Sequence, residues 1–116
     1  MEQEKRSIRI MNQAITDPLI VPKTVNGATF GVSEAARQIV AYVKATLVDG
    51  ELDVIIEDSP DNVNWYAAQA MDHLDVSGIG RKSFEGCARF VRATAIVTNA
   101  ATSVDVTNVT VDIQVI

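Results

Sequence analysis

The stretch QIVAYVKATLVDGELDVIIEDS, residues 38–59, indicates the fold class of this chain. Apolar and polar side chains alternate on both sides of Asp49-Gly50, a dipeptide typical of hairpin turns. Alternation with a period of two is the pattern of a strand that buries one face. The apolar face contains Ile39, Ala41, Val43, Ala45, Leu47, Leu52, Val54 and Ile56. We therefore predict two strands, 38–48 and 52–57, that form an antiparallel hairpin.

The composition supports the same class. The 116 residues include 16 Val, 11 Ile and 9 Thr but only 4 Leu. Branching at Cβ restricts χ1 and suits a pleated sheet better than a helix. Hydrophobic residues make up 47% and charged residues 22%, which is ordinary for one globular domain.

The rest of the chain adds short strands. Residues 65–71 and 87–97 alternate as strands do, whereas the glycine-rich stretch 75–86 is typical of a loop or loose hairpin. In the last run, from residue 104, the apolar positions change from even to odd numbers. That change predicts a bulge near Thr107-Asn108. Residues 31–38 contain one possible helical turn with Ser33 as its cap. The chain is predicted to be all-β: an antiparallel β-sandwich, jelly-roll-like, with an extended N-terminal arm.

The first 30 residues read differently from residues 31–116, which we assign to the sandwich domain. Two prolines favour an edge strand or an extended arm, and the sequence leaves both alternatives open. Candidate interface residues in this part are Ile8, Ile10, Leu19, Ile20 and Val21. No apolar segment follows the charged N-terminus, and no apolar run approaches 18 residues, so we expect neither a signal peptide nor a membrane span.

Composition and residue counts argue against several functions. The net charge of −5 does not favour nucleic-acid binding. One cysteine, Cys87, and one histidine, His73, are too few for a disulfide or a zinc site within the chain. Asp72 and Asp75 flank His73 and would raise its pKa if they lay close to it. No nucleophile motif or phosphate-binding loop is complete, so we expect neither an enzyme nor a cofactor.

The stretch IIEDSPDNVNWY, residues 55–66, is the remaining candidate site. Weak calcium candidates are Asp58, Asp61, Asn62 and Asn64, but their spacing does not match an EF-hand. The alternative is a plain turn, because Ser-Pro-Asp-Asn favours a turn through its backbone preferences. Trp65 and Tyr66 are a possible sugar-stacking platform, although a tryptophan that begins a strand more often anchors the core.

Two segments resemble small virion proteins of tailed bacteriophages. They are LDVIIEDSPDNVNWYAA, residues 52–68, and CARFVRATAIVTNAATSVDVTNVTVDI, residues 87–113. The shared pattern is a strand that ends in a Ser-Pro-Asp turn before a tryptophan, followed by a strand with the motif Arg-Phe-Val-Arg, here residues 89–92. This chain has Asn62 where the phage pattern has Gly, a change that the turn tolerates because Asn accepts the left-handed conformation. Discoidin-like carbohydrate- or lipid-binding sandwiches share the same order of turn and strand motifs.

The resemblance implies a β-sandwich on a phage particle. The expected function is that of a capsid decoration (cement) protein that binds the major capsid protein and stabilises the head shell, as a homo-oligomer that we take to be a trimer. A tail or neck component and a carbohydrate-binding module on the particle surface remain alternatives. The expected location is the virion.

Overall fold

The computed structural model describes residues 6–19, 22–32, 38–85 and 88–115. Within these ranges every regular element is a β-strand. The strands are β1 (Arg6–Asp17), β2 (Lys23–Asn26), β3 (Phe30–Gly31), β4 (Gln38–Asp49), β5 (Glu51–Ser59), β6 (Tyr66–Ala70), β7 (Gly78–Glu85), β8 (Phe90–Thr98) and β9 (Val104–Val115). No helix in this part of the chain is long and apolar enough to cross a membrane.

The strands form two antiparallel sheets packed face to face. The first sheet has the order β1-β9-β4-β7, and the second has the order β2-β8-β5-β6, with β3 also paired to β8. Their facing sides share one core, to which β8 and β9 contribute the fully buried Val91, Ala93, Val111 and Ile113. The predicted all-β antiparallel sandwich is confirmed.

The predicted strands on both sides of Asp49-Gly50 are present, but the prediction that they pair with each other as a hairpin is wrong. β4 pairs with β7 and β9 in the first sheet, whereas β5 pairs with β6 and β8 in the second. Asp49-Gly50 is therefore a corner at which the chain crosses from one sheet to the other. Gly50 has φ +119°, and a Cβ there would lie 2.6 Å from Cγ1 of Val97. Glycine is required at this corner for both reasons.

Residues 78–85 form a strand that pairs with β4, rather than the predicted loop or loose hairpin. β7 pairs with β4 along its whole length, from Gln38↔Glu85 to Ala45↔Gly78. The prediction failed because two glycines hide the alternation, which places Ile79 and Arg81 on the outer face and Phe84 against the core. The predicted helical turn falls largely on residues 33–37, which lie outside the described ranges.

The predicted bulge in the last strand is confirmed. In the pairing of β4 with β9, Thr46 faces Asn108 but Leu47 faces Val106, so Thr107 is the additional residue. Val106 and Val109 are nevertheless both fully buried. The bulge thus keeps the even and odd apolar positions on the same face of the sheet.

Residues 6–17 and 23–26 form strands of the two sheets. β1 is an edge strand of the first sheet, paired with β9, and it buries Ile10, Met11 and Ile15. β2 pairs with β8 in the second sheet.

Candidate functional site

The loop after β5 is a turn built around one carboxylate. Oδ1 of Asp61 accepts hydrogen bonds from the backbone N–H groups of Val63 at 3.0 Å and Asn64 at 2.8 Å, and from the hydroxyl of the buried Ser59 at 3.0 Å. The N–H of Asn64, and then that of Val63, lower the pKa of Asp61 because they stabilise its ionised form. Asn62 has φ 62°, the left-handed conformation that the turn requires.

Two of the other calcium candidates, Asp58 and Asn64, have side chains that are engaged in hydrogen bonds. Oδ2 of Asp58 accepts a hydrogen bond from the N–H of Ala88 at 2.8 Å, and the side-chain amide of Asn64 donates to Oδ2 of Asp61 at 2.8 Å. Among the described residues, no group of three or more His, Cys, Asp or Glu could hold a metal ion. The geometry of this loop is that of a turn whose polar groups satisfy each other.

Trp65 lies outside the core, so the expectation that it anchors the core is wrong. The indole is only partly buried, and the guanidinium carbon of Arg92 lies 4.3 Å from its ring centroid. Nε of Arg92 also donates to Oε1 of Glu57 at 3.0 Å, and the hydroxyl of Thr94 donates to the same oxygen. The ring precedes an edge strand, β6, where the outward-facing Arg92 covers one of its faces.

A sugar platform at Trp65 and Tyr66 would have limited aromatic surface. Tyr66 is 60% exposed, but the guanidinium already stacks on one face of the indole. Only the other face of Trp65 could receive a sugar ring.

His73 is held between two carboxylates of β5. Its Nδ1 lies 2.8 Å from Oδ1 of Asp53, and its Nε2 lies 3.0 Å from Oε1 of Glu51. The hydrogen bonds with Glu51, and then with Asp53, raise the pKa of His73 to about 9 because they stabilise the imidazolium. The sequence neighbours Asp72 and Asp75 are not the partners.

The imidazolium ties one crossover to the second sheet. His73 lies in the connection between β6 of the second sheet and β7 of the first. Backbone hydrogen bonds between Leu74 and Leu52, at 2.8 and 2.9 Å, fix the same connection beside β5. Because both ring nitrogens have carboxylate partners, His73 is placed as a structural link between β5 and this connection and not as a free base.

The candidate interface residues have different environments. Ile10 is 1% exposed and lies in the core, so it has no surface to offer a partner, and Ile8 packs against the core. Leu19 is 61% exposed. Ile20 and Val21 lie outside the described residues, and so does Cys87.

The outer face of the first sheet has a hollow that the sequence did not predict. Its volume is about 520 Å³, and its lining includes Tyr42 and Lys44 of β4, Ile79 and Arg81 of β7, and Thr110 of β9. Ile79 is 78% exposed. Neither Lys44 nor Arg81 forms an ion pair with any described residue. The lining also includes Asp112, which is ion-paired with Arg9, so the hollow combines charged side chains of both signs with apolar ones.

Most of these partnerships have no local signal in the sequence. Arg92 and Trp65 are far apart in the chain and meet only because β8 and β6 flank β5. One signal was available for His73: Glu51 and Asp53 are two residues apart, so a strand places both on one face.

Comparison with known proteins shows similarity of fold. No protein-family model matches the chain, and no curated protein matches it in sequence. Among solved structures, the PBSX exported protein XepA has a TM-score of 0.68 at 14% identity, over 95% of this chain and 36% of that one. PirA has a TM-score of 0.51 at 9% identity, over 98% of this chain and 96% of that one. The SPBc2 prophage-derived protein YomS has a TM-score of 0.50 at 17% identity, over 97% of this chain and 92% of that one.

Two of these structural neighbours, XepA and YomS, are phage-derived proteins with a β fold. The chain spans 36% of the length of XepA, so it corresponds to one part of that larger protein. At these identities the likeness establishes the fold alone, because one fold serves many functions.

Proposed function

We propose that this chain is a structural subunit of a phage particle, and within that class a head decoration protein that binds the major capsid protein. The observation that carries the proposal is the fold match to the phage-derived XepA over 95% of the chain. The turn at residues 59–62 before Trp65, and the strand motif at residues 89–92, point to the same class.

The chemistry of the described residues agrees with a structural role. Asp61 and His73, which the sequence analysis considered as candidate functional groups, have structural partners, and so does Asp49 of the corner after β4. Asp61 caps its own turn, His73 bridges Glu51 and Asp53, and Asp49 accepts hydrogen bonds from the N–H groups of residues 101–103 at 2.7 to 3.1 Å. These contacts stabilise connections between strands.

Exposed strand edges and an exposed sheet face are what this fold offers to other subunits. The hollow on the first sheet combines Ile79 with two cations that have no ion pair among the described residues. In the proposal the chain acts as a homo-oligomer, a trimer, seated on the capsid surface.

The test uses particles purified from cells that carry the gene, compared with particles from a deletion strain and from that strain with the gene restored. Mass spectrometry measures the copy number of the chain per particle, and cryo-electron microscopy locates its density. The proposal predicts density on the outer shell, at a copy number that is a simple fraction of that of the major capsid protein.

Density at the tail or neck, with few copies, would assign the chain to that part of the particle and refute the decoration role. Absence of the chain from the particles would refute the structural role altogether. A carbohydrate-binding role would instead require that substitution of Trp65 abolish binding to cell-surface sugars while leaving particle binding unchanged.

A further inference from the structure

The two most exposed large apolar side chains of the described residues lie on surfaces of opposite shape. Ile79 lines the hollow on the outer face of the first sheet. Val63 is 75% exposed and belongs to residues 60–64, the tip loop, which connects β5 to β6 and is exposed at every position. A single exposed apolar residue is common, but a concave and a convex apolar surface can bury each other when their charges also match.

The hollow carries more positive than negative charge. Lys44 lies opposite Ile79 in the register of β4 with β7, and Arg81 is two residues further along β7 on the same face. Neither cation forms an ion pair with any described residue. Asp112 also lines the hollow, but both of its carboxylate oxygens accept hydrogen bonds from Arg9, at 2.9 and 3.3 Å. The charge that lacks a partner around Ile79 is therefore positive.

The tip loop holds a carboxylate beside its apolar side chain. Oδ1 of Asp61 accepts hydrogen bonds from the N–H groups of Val63 and Asn64, and its Oδ2 accepts one from the side-chain amide of Asn64. The N–H of Asn64, and then that of Val63, lower the pKa of Asp61, so this carboxylate is ionised at neutral pH. The same hydrogen bonds order the loop before any contact forms, which reduces the conformational entropy lost on binding.

We propose that the tip loop of one copy binds in the hollow of a second copy. Val63 then packs against Ile79, and the carboxylate of Asp61 lies near Lys44 and Arg81. This inference rests on the proposed function, because it describes how subunits of the particle associate. Burial of the apolar pair supplies affinity, and the opposite charges fix the orientation of the contact.

The tip loop does not enter the hollow of its own copy. It connects two strands of the second sheet, whereas the hollow lies on the outer face of the first sheet. The first sheet therefore lies between them, and the hydrogen bond from the buried Ser59 to Asp61 anchors the loop to the end of β5. The contact joins two copies, either reciprocally as a pair or head to tail as a ring or filament. A ring that closes after three copies would give the trimer of the proposed function.

The first experiment tests the contact at the tip loop by sedimentation equilibrium of the full chain at low salt. Val63→Lys brings a cation to the two cations of the hollow and should weaken association at least about tenfold. Val63→Glu removes the same apolar contact but brings a carboxylate, so it should weaken association less. Val76→Lys is the matched control, because this valine is 68% exposed and lies outside both the hollow and the tip loop, and it should associate like the unaltered chain.

The second experiment reverses a charge in the hollow. Arg81→Glu should weaken association, because a carboxylate then faces that of Asp61. Adding Val63→Lys to Arg81→Glu should restore association, since opposite charges then face each other again. Added salt should weaken association of the unaltered chain, because it screens exposed charges.

Circular dichroism and the melting temperature establish that each variant is folded. The backbone N–H of Val63, and not its side chain, donates to Asp61, so the variants at position 63 keep the turn and test the contact even if Arg81→Glu were to disturb β7.

Four results would overturn the proposal. They are a monomer of the unaltered chain at every concentration, equal association of Val63→Lys and Val76→Lys, equal weakening by Val63→Lys and Val63→Glu, and no recovery in the combined variant. Each of them leaves the particle-binding test unaffected, so the two proposals fail separately.

Discussion

The contacts of His73 with two carboxylates predict how the stability of the fold depends on pH. His73 contacts Glu51 at 3.0 Å and Asp53 at 2.8 Å, and its pKa is raised from 6.5 to about 9. At pH 7.5 an unfolded chain would carry the proton on about a tenth of its imidazoles, whereas the folded chain would carry it on nearly all of them. The fold therefore binds a proton that the unfolded chain lacks at neutral pH.

The sign of the stability effect follows from this difference. A group whose pKa is higher in the folded state stabilises the fold fully below its unfolded pKa, here 6.5, and loses that contribution as the pH rises through about 9. The unaltered chain should lose more stability than His73→Gln between pH 6 and pH 10. The variant is the control for every other group that titrates in this range.

The assay is a proton NMR titration, which is unambiguous because the chain has one histidine. The imidazole resonance should titrate with a midpoint near pH 9. Glu51→Gln and Asp53→Asn should each lower that midpoint. Asp75→Asn, a change at a sequence neighbour that does not contact the ring, should leave it in place. A midpoint at 6.5 or below, or an equal shift of the midpoint in all three variants, would refute the contacts of His73 with Glu51 and Asp53.

Three further predictions concern the core, the turn and the single tryptophan. Val54→Asp places a charge at a position that is 2% exposed and should lower the free energy of unfolding in urea by about 3 kcal/mol or more. The control is Thr46→Asp at an exposed position, which should cost under about 0.5 kcal/mol, and equal effects would contradict the assigned inner face. Asp61→Ala should speed hydrogen exchange at the backbone amide of Asn64, and Asp61→Asn should speed it less because it keeps an acceptor. Identical exchange rates in the variants and the unaltered chain would rule out the hydrogen bond from this amide to Asp61. Arg92→Ala uncovers one face of the indole, so the emission of Trp65 should shift to the red and its quenching by acrylamide should increase. Unchanged emission and quenching would show that the guanidinium does not cover the ring.

The sequence predicted strand faces better than strand partners. Alternation identified Val54 and Ile56 as inward-facing, and both are at most 2% exposed. The change of phase near Thr107 also located the bulge. The same reasoning joined β4 and β5 into a hairpin, because a Gly after Asp is compatible both with a tight turn and with a corner between sheets. Only the packing of two buried faces against each other separates these alternatives.

The candidate site was less predictable than the fold. The Ser-Pro-Asp-Asn turn was read correctly because its hydrogen bonds are local, within three residues of Asp61. Trp65 was misplaced because its partner, Arg92, comes from a strand far along the chain. The edge strand β7 was missed because its glycines conceal its alternation.

By itself, the sequence determined which side of each strand is apolar, where the last strand bulges, and which loop residues cap their own turn. These properties depend on residues close together in the chain, where side-chain period and turn chemistry act directly. Only the tertiary structure decided that β4 and β5 belong to different sheets, that His73 binds carboxylates of β5, and that β7 is a regular strand at the end of the order of the first sheet. Pairings between distant segments depend on how two apolar faces enclose one core, and no local pattern encodes that choice.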